Sequence, residues 1–210
     1  MKTLLGRKIG MTQIFTEEGE VVPVTVIEAG PEVVTQIKTV ETDGYNAVQV
    51  GFEDRKANRT TKPMLGHFGK ADVPAKKVVA EFRDEDAASY ELGQVLTVAE
   101  FEEGAKLDIT GTSKGKGTQG NIKRHGHHRG PMSHGSKNKR LVGALAGASY
   151  PGRVFKGNKS PGRMGRDTVT VQNVKLVKVI EDRNLLLVKG AVPGAKGGLL
   201  RIRYAVKGQD

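Results

Sequence analysis

Between Thr112 and Arg166 the chain carries seven lysines, six arginines, twelve glycines and not one acid. Large apolar side chains are sparse there. Such a stretch cannot bury enough hydrocarbon to offset the entropy of ordering its backbone, and its like charges repel. The core must therefore come from the residues on either side. Of 34 basic residues in the chain thirteen fall in this stretch, which leaves 21 basic against 23 acidic elsewhere, so the formal charge of +11 resides in one segment. A cationic, core-less segment of this kind is ordered by a polyanion, and a phosphate backbone is the commonest one.

A length of 210 residues with 37% hydrophobic content suits one ordinary domain, or one domain plus an arm. No run approaches the roughly 18 apolar residues of a membrane span. Gly6, Arg7, Lys8 and Gly10 break up the amino-terminal apolar run, which is unlike a secretory leader. These features predict a cytoplasmic protein with no membrane partner. Cysteine is absent, which excludes disulfides and thiolate metal sites. With aromatics at 5% and no tryptophan, rows of stacking rings for single strands are disfavoured against backbone contacts.

The flanks read as β. Leu4–Phe15 runs into the polar turn Thr16–Glu20 and then β-branched Val21–Ala29, which predicts a hairpin. After Pro31, Val33, Thr35, Ile37 and Thr39 alternate with polar residues. Asp43-Gly44 separates them from a predicted strand over Tyr45–Phe52, a second hairpin signal. Residues 54–94 look like an insertion, irregular and basic, with one short helix near Met64–Lys70 and no core of its own. Val95–Phe101 and Ala105–Ile109 restore apolar character before the basic stretch. Val169–Val179 follows it with a bulge expected near Gln172. Glu181–Asn184 turns that run into Leu185–Lys189, and Leu200, Ile202 and Tyr204 alternate after the glycine-rich loop 190–198.

The fold class is accordingly mainly β: a small β-barrel with a short helical or irregular insertion and a long, basic, glycine-rich internal arm. The expected body is 1–111 with 167–210, and the arm is 112–166. Out and back, an arm of that length spans at most on the order of 90 Å.

Catalytic motifs fail on inspection. Gly115-Lys116-Gly117-Thr118-Gln119-Gly120 matches a dinucleotide fingerprint, but Gly126, Gly130 and Pro131 cut any following helix short and no acid occurs until Asp167. Gly157 and Gly162 have phosphate-loop spacing, yet Arg163-Met164 stands where Lys and Ser or Thr belong. Gly147-Ala148-Ser149-Tyr150-Pro151 lacks the second glycine of a nucleophile elbow, and no arm carboxylate exists to orient a histidine. His125, His127, His128 and His134 lack acidic or thiolate co-ligands and sit among cations that oppose a divalent ion; phosphate or base contacts suit them better. No enzyme, cofactor, metal or small-molecule substrate is expected. Three readings compete: an RNA-binding structural protein, a free nucleic-acid chaperone and a nucleotide-dependent enzyme. The arm lacks an enzyme's acid, and a chaperone's basic segment is more often terminal than anchored at both ends.

Five groups of residues carry a resemblance. They are Leu4–Thr12, Lys62-Pro63 with Gly66-His67-Phe68, Gly111–Arg124 with Gly130–Ser136, Pro151–Gly157, and Gly190–Ala195. Together they span almost the whole chain, which resembles the bacterial large-subunit ribosomal protein L-three family. The resemblance implies a β-barrel near the 3′ end of 23S rRNA, an arm directed toward the peptidyl transferase centre and an early role in subunit assembly. It also implies contacts with ribosomal proteins L-fourteen and L-nineteen. Some relatives carry a methylated glutamine near the arm's tip; Gly143–Tyr150 contains no glutamine, so that modification is not expected.

The candidate RNA contacts are Lys8 and the arm's Lys114, Lys116, Lys123, Arg124, Arg129, Lys137, Lys139, Arg140, Arg153, Lys156, Lys159, Arg163 and Arg166, with His125, His127, His128 and His134. Between Arg140 and Arg153 lies an uncharged tip: Gly143, Ala144, Leu145, Ala146, Gly147, Ala148, Ser149 and Tyr150. Small neutral residues suit close packing against folded RNA, with the flanking cations fixing the approach.

Overall fold

A computed structural model of the chain describes residues 3–208. The chain runs through β1 (Thr3–Phe15), β2 (Val21–Ala29), β3 (Glu32–Lys38), α1 (Val40–Asp43), β4 (Ala47–Asp54), α2 (Lys62–Gly69), β5 (Lys76–Phe82), β6 (Val95–Leu96) and β7 (Lys106–Thr112). It continues through β8 (Thr118–Gln119), α3 (Asn121–His125), β9 (Gly162–Arg163), β10 (Thr168–Ile180), β11 (Leu185–Lys189) and β12 (Leu199–Tyr204). It divides into two compact units, one formed by the chain up to Thr112 and from Thr168 onward, the other by Ser113–Asp167.

In the first unit six strands hydrogen-bond in a closed ring, β1-β12-β7-β10-β11-β2 and back to β1, every pair antiparallel. The period of two makes the ring work. Leu200 and Ile202 turn inward while Arg201 is exposed, and Leu4, Ile27, Leu107, Ile109, Leu176 and Leu186 complete a fully buried interior. Each such side chain contributes about 1.5–3 kcal/mol by leaving water. Gly111 is held small by its neighbours, because a Cβ there would stand 2.7 Å from Leu200 Cδ2. The irregularity expected near Gln172 lies between Val171 and Val174, where the β10–β7 register slips and Asn173 adopts φ 57°. Asp108, buried on β7, accepts the freed Asn173 N–H at 3.1 Å and lies 3.5 Å from the Arg203 guanidinium, which fixes the bulge.

The other four strands of this unit lie outside the ring. They form a separate sheet, β5-β4-β3-β6. The segment 54–94 is thus not merely an irregular insertion, since it supplies β5, which pairs with β4 from Val48↔Phe82 to Asp54↔Lys76. One apolar cluster nonetheless joins the two sheets: Leu4, Leu5 and Ile27 of the ring belong with Val34, Val50, Phe52 and Phe82.

Local details also differ from expectation. The β3–β4 hairpin exists, with Lys38 opposite Ala47, but Asp43-Gly44 is not its central pair and the strand does not begin at Tyr45. Val40–Asp43 winds one helical turn, and Gly44 ends it in the left-handed conformation at φ 81°. Within the apolar run Val95–Phe101, Val95–Leu96 forms a two-residue strand, and a 3₁₀ turn over Val98–Glu100 follows and buries Val98. The short helix of the insertion is Lys62–Gly69, with Pro63 in its first turn and Phe68 buried.

Candidate nucleic-acid interface

In the unit Ser113–Asp167, backbone hydrogen bonds tie an outgoing and a returning leg together. Ser113 N–H donates to Asp167 O (2.9 Å), Lys116 N–H to Met164 O (2.9 Å) and Met164 N–H to Gly117 O (3.0 Å). Thr118 and Gln119 then pair with Arg163 and Gly162 as β8 and β9. Gly165 is required at this crossing: its φ is 75°, and a Cβ would run into Lys114 O.

The single turn of α3 comes next, ended by Gly126 in the left-handed conformation. Three of its side chains hold the returning leg. Buried Asn121 donates to Lys159 O at 2.6 Å, Arg124 Nη1 donates to Ser160 O at 2.7 Å, and His125 Nε2 lies 3.0 Å from the same oxygen. Farther out the backbone approaches itself again where Gly130 N–H donates to Lys139 O at 3.0 Å. From His127 to Pro161 regular secondary structure is absent.

This architecture sorts the predicted site residues. Arg124 and His125 are half-buried and bound to carbonyls, so part of their donor capacity holds the unit in shape. His127 is half-buried beside His125, ring centroids 6.0 Å apart. Lys114, Lys116, Lys123, Arg129, Lys137, Lys139, Arg140, Arg153, Lys156, Lys159, Arg163 and Arg166 are exposed, as are His128 and His134. Among the described residues none of the arm's thirteen cations forms an ion pair. The tip is exposed apart from half-buried Gly147; Tyr150 is 93% accessible, and Leu141, Val142 and Leu145 are exposed with it. Arg153 lies over the Phe155 ring at 5.8 Å.

Lys8 belongs to the first unit and is differently placed. Its ammonium is half-buried and donates to Val192 O (2.9 Å) and Gly194 O (3.3 Å), gripping the glycine-rich loop. Neighbouring Arg7 donates at 2.6 Å to Glu53 Oε1, and with help from Lys77 this holds the Glu53 carboxyl down at about 2. Glu81 likewise holds the Lys38 ammonium above its ordinary pKa. Arg7, Lys38 and Lys77 are thus paired with acids, whereas among the described residues no cation of the arm is. Sequence reasoning missed Asn121 and Ser160 as ties between the legs; the only signal was Asn121 following a glycine at a helix start.

Exposed cations without acidic partners on a glycine-rich backbone are the chemistry that suits a phosphate backbone, which points to the RNA-binding class of protein. Comparison with known proteins sharpens this. The family model described as Ribosomal protein L3 matches residues 75–184. The large ribosomal subunit protein uL3 of Finegoldia magna is 59% identical over 207 residues, covering 99% of each chain. Those of Natranaerobius thermophilus and Carboxydothermus hydrogenoformans are 58% and 56% identical over 209 and 208 residues, spanning 99% of each relative. The chain belongs to the ribosomal protein L3 family.

Proposed function

We propose that this protein is a structural, non-catalytic component of the bacterial large ribosomal subunit, working in the cytoplasm. It binds 23S rRNA near the 3′ end and enters early in assembly. Its ring of strands serves as the β-barrel that anchors it, and residues 112–166 serve as the RNA-penetrating arm, whose tip at Gly143–Tyr150 adjoins the peptidyl transferase centre. Proteins L-fourteen and L-nineteen are its neighbours. The observation that carries the RNA reading is the acid-free stretch 112–166, in which twelve of the thirteen cations are exposed and none meets a carboxylate among the described residues. Near-full-length identity to proteins named for the large subunit supports the assembly.

Quantitative sedimentation of cell extract tests this. The expected result is one copy per large subunit and little elsewhere. A predominant free pool would instead support a nucleic-acid chaperone.

A further inference from the structure

The body outside the arm has a slight acidic excess, but that average hides a second cationic surface. From Arg55 to Lys70 there are five basic residues, Arg55, Lys56, Arg59, Lys62 and Lys70, and no acid. With these set aside, the remainder of the body keeps 16 basic residues against 23 acidic. All five are exposed, and among the described residues none forms an ion pair. Arg7, Lys38, Lys76, Lys77 and Arg203, by contrast, each lie within 3.5 Å of a carboxylate oxygen.

The segment is also held in shape. Arg55 N–H donates to Ala75 O at 2.7 Å, and a 3₁₀ turn over Ala57–Arg59 leads into α2. Phe68 anchors that helix at 1% exposure, and His67 Nε2 meets Gln49 Oε1 at 2.6 Å. Met64 and Leu65 are partly exposed between Lys62 and His67 and offer apolar contact to sugars or base faces.

We infer that residues 55–70 form a second RNA-binding surface, built on the body, which takes a sugar-phosphate backbone. The inference rests on the ribosomal reading above and extends it. Uncompensated cations on an otherwise acidic body repel one another unless a polyanion meets them. A fixed surface loses less conformational freedom on binding than the arm does. The body can therefore engage RNA while arm contacts are still forming.

The test compares full-length wild type, Arg55→Gln/Lys56→Gln/Arg59→Gln and Lys137→Gln/Lys139→Gln/Arg140→Gln for binding to 23S rRNA by filter retention from 50 to 400 mM salt. Thermal melting checks that each is folded. Each lost phosphate contact removes about 0.7–0.9 from the slope of log affinity against log salt, so the body variant is expected to lose about 2 to 3. Amide exchange of wild type with and without RNA gives a readout free of mutation, in which residues 55–70 become more protected. If the arm variant loses slope but the body variant keeps the wild-type slope, and 55–70 gain no protection, the second surface is refuted while the ribosomal reading stands; an acidic protein partner would then remain as its occupant. If wild type itself shows no salt-dependent binding, both fall.

Discussion

Glu32 is the residue whose replacement reports most directly on the body. It begins β3 with no exposed surface, one oxygen accepting the Leu5 N–H and Oε2 unpartnered among the described residues. Burial pushes its carboxyl up to about 8, against 4.5 in a free chain, and the Leu5 hydrogen bond only partly opposes this. The folded state therefore holds the Glu32 proton more tightly than the unfolded state. Its contribution is fully present below about pH 4.5 and is lost as pH rises through about 8. At 1.36 kcal/mol per unit, the whole window is worth on the order of 5 kcal/mol, of which about 3 to 4 kcal/mol falls between pH 5 and pH 8. Glu53, held down at about 2, changes charge well below this window and leaves it undisturbed.

Urea unfolding of the free protein at pH 5, 6, 7 and 8 measures the effect. Wild type should lose stability steadily toward pH 8. Glu32→Gln can still accept the Leu5 N–H but cannot ionise. It should start about 1–3 kcal/mol less stable, because its buried amide lacks partners, and should lack the Glu32 part of the slope. Parallel profiles for the two proteins would show that Glu32 is not a protonated core residue, and the argument from burial would be wrong.

The arm offers sharper contrasts. Lys123→Ala should lower the salt slope of 23S rRNA binding by at most about 1 with the arm's structure unchanged, whereas Arg124→Ala should also speed amide exchange around Ser160, whose carbonyl it holds; equal exchange in both would refute that tie. Gly165→Ala should cost about 1–2 kcal/mol locally through its left-handed backbone and its collision with Lys114 O, loosening the legs in amide exchange while the body melts as before. Shortening Ala144–Ser149 should leave assembly intact but change peptidyl transfer, or its response to inhibitors, in reconstituted large subunits; normal activity with normal inhibition would make the tip a passive connector.

How much of this was legible in the sequence depends on the range of the interactions. β10, β11 and β12 were readable because Val169–Val179 and Leu185–Lys189 are apolar, β-rich runs joined by a polar turn, and Leu200 and Ile202 alternate with Arg201 and Arg203, all local signals. The ring that they join was not: β12 pairs with β1 across nearly the whole chain, Thr3 opposite Arg203, and local patterning cannot register that. The second sheet escaped for two reasons. β5 lies between Pro74 and a run of charges, and β6 has only two residues. Charge counting located the arm because no acid interrupts it. It could not show that Lys8 grips Val192 and Gly194 or that Arg124 faces a carbonyl, since all three partners lie 36 or more residues away. A total for the body likewise concealed Arg55–Lys70, where five cations were offset by acids elsewhere on the surface.

The way the arm leaves the body explains how an acid-free segment can persist in a stable protein. β7 and β10 are adjacent strands of the ring, and Thr112 lies opposite Thr168. Closing a flexible loop of roughly 55 residues costs about 3.5 kcal/mol. Ring hydrogen bonds and the buried Leu107, Ile109, Val174 and Leu176 hold those ends together whatever the arm contains. The arm's own residues are then free of any duty to build a core. Glycine can stand wherever a carbonyl passes close, as at Gly165, and a cation wherever a phosphate is to be met. The same reasoning limits where acids can be tolerated. An acid introduced at an exposed arm position, such as Lys139→Glu, should leave the melting of the body unchanged yet weaken RNA binding by more than Lys139→Gln does, because it adds repulsion to the loss of a contact.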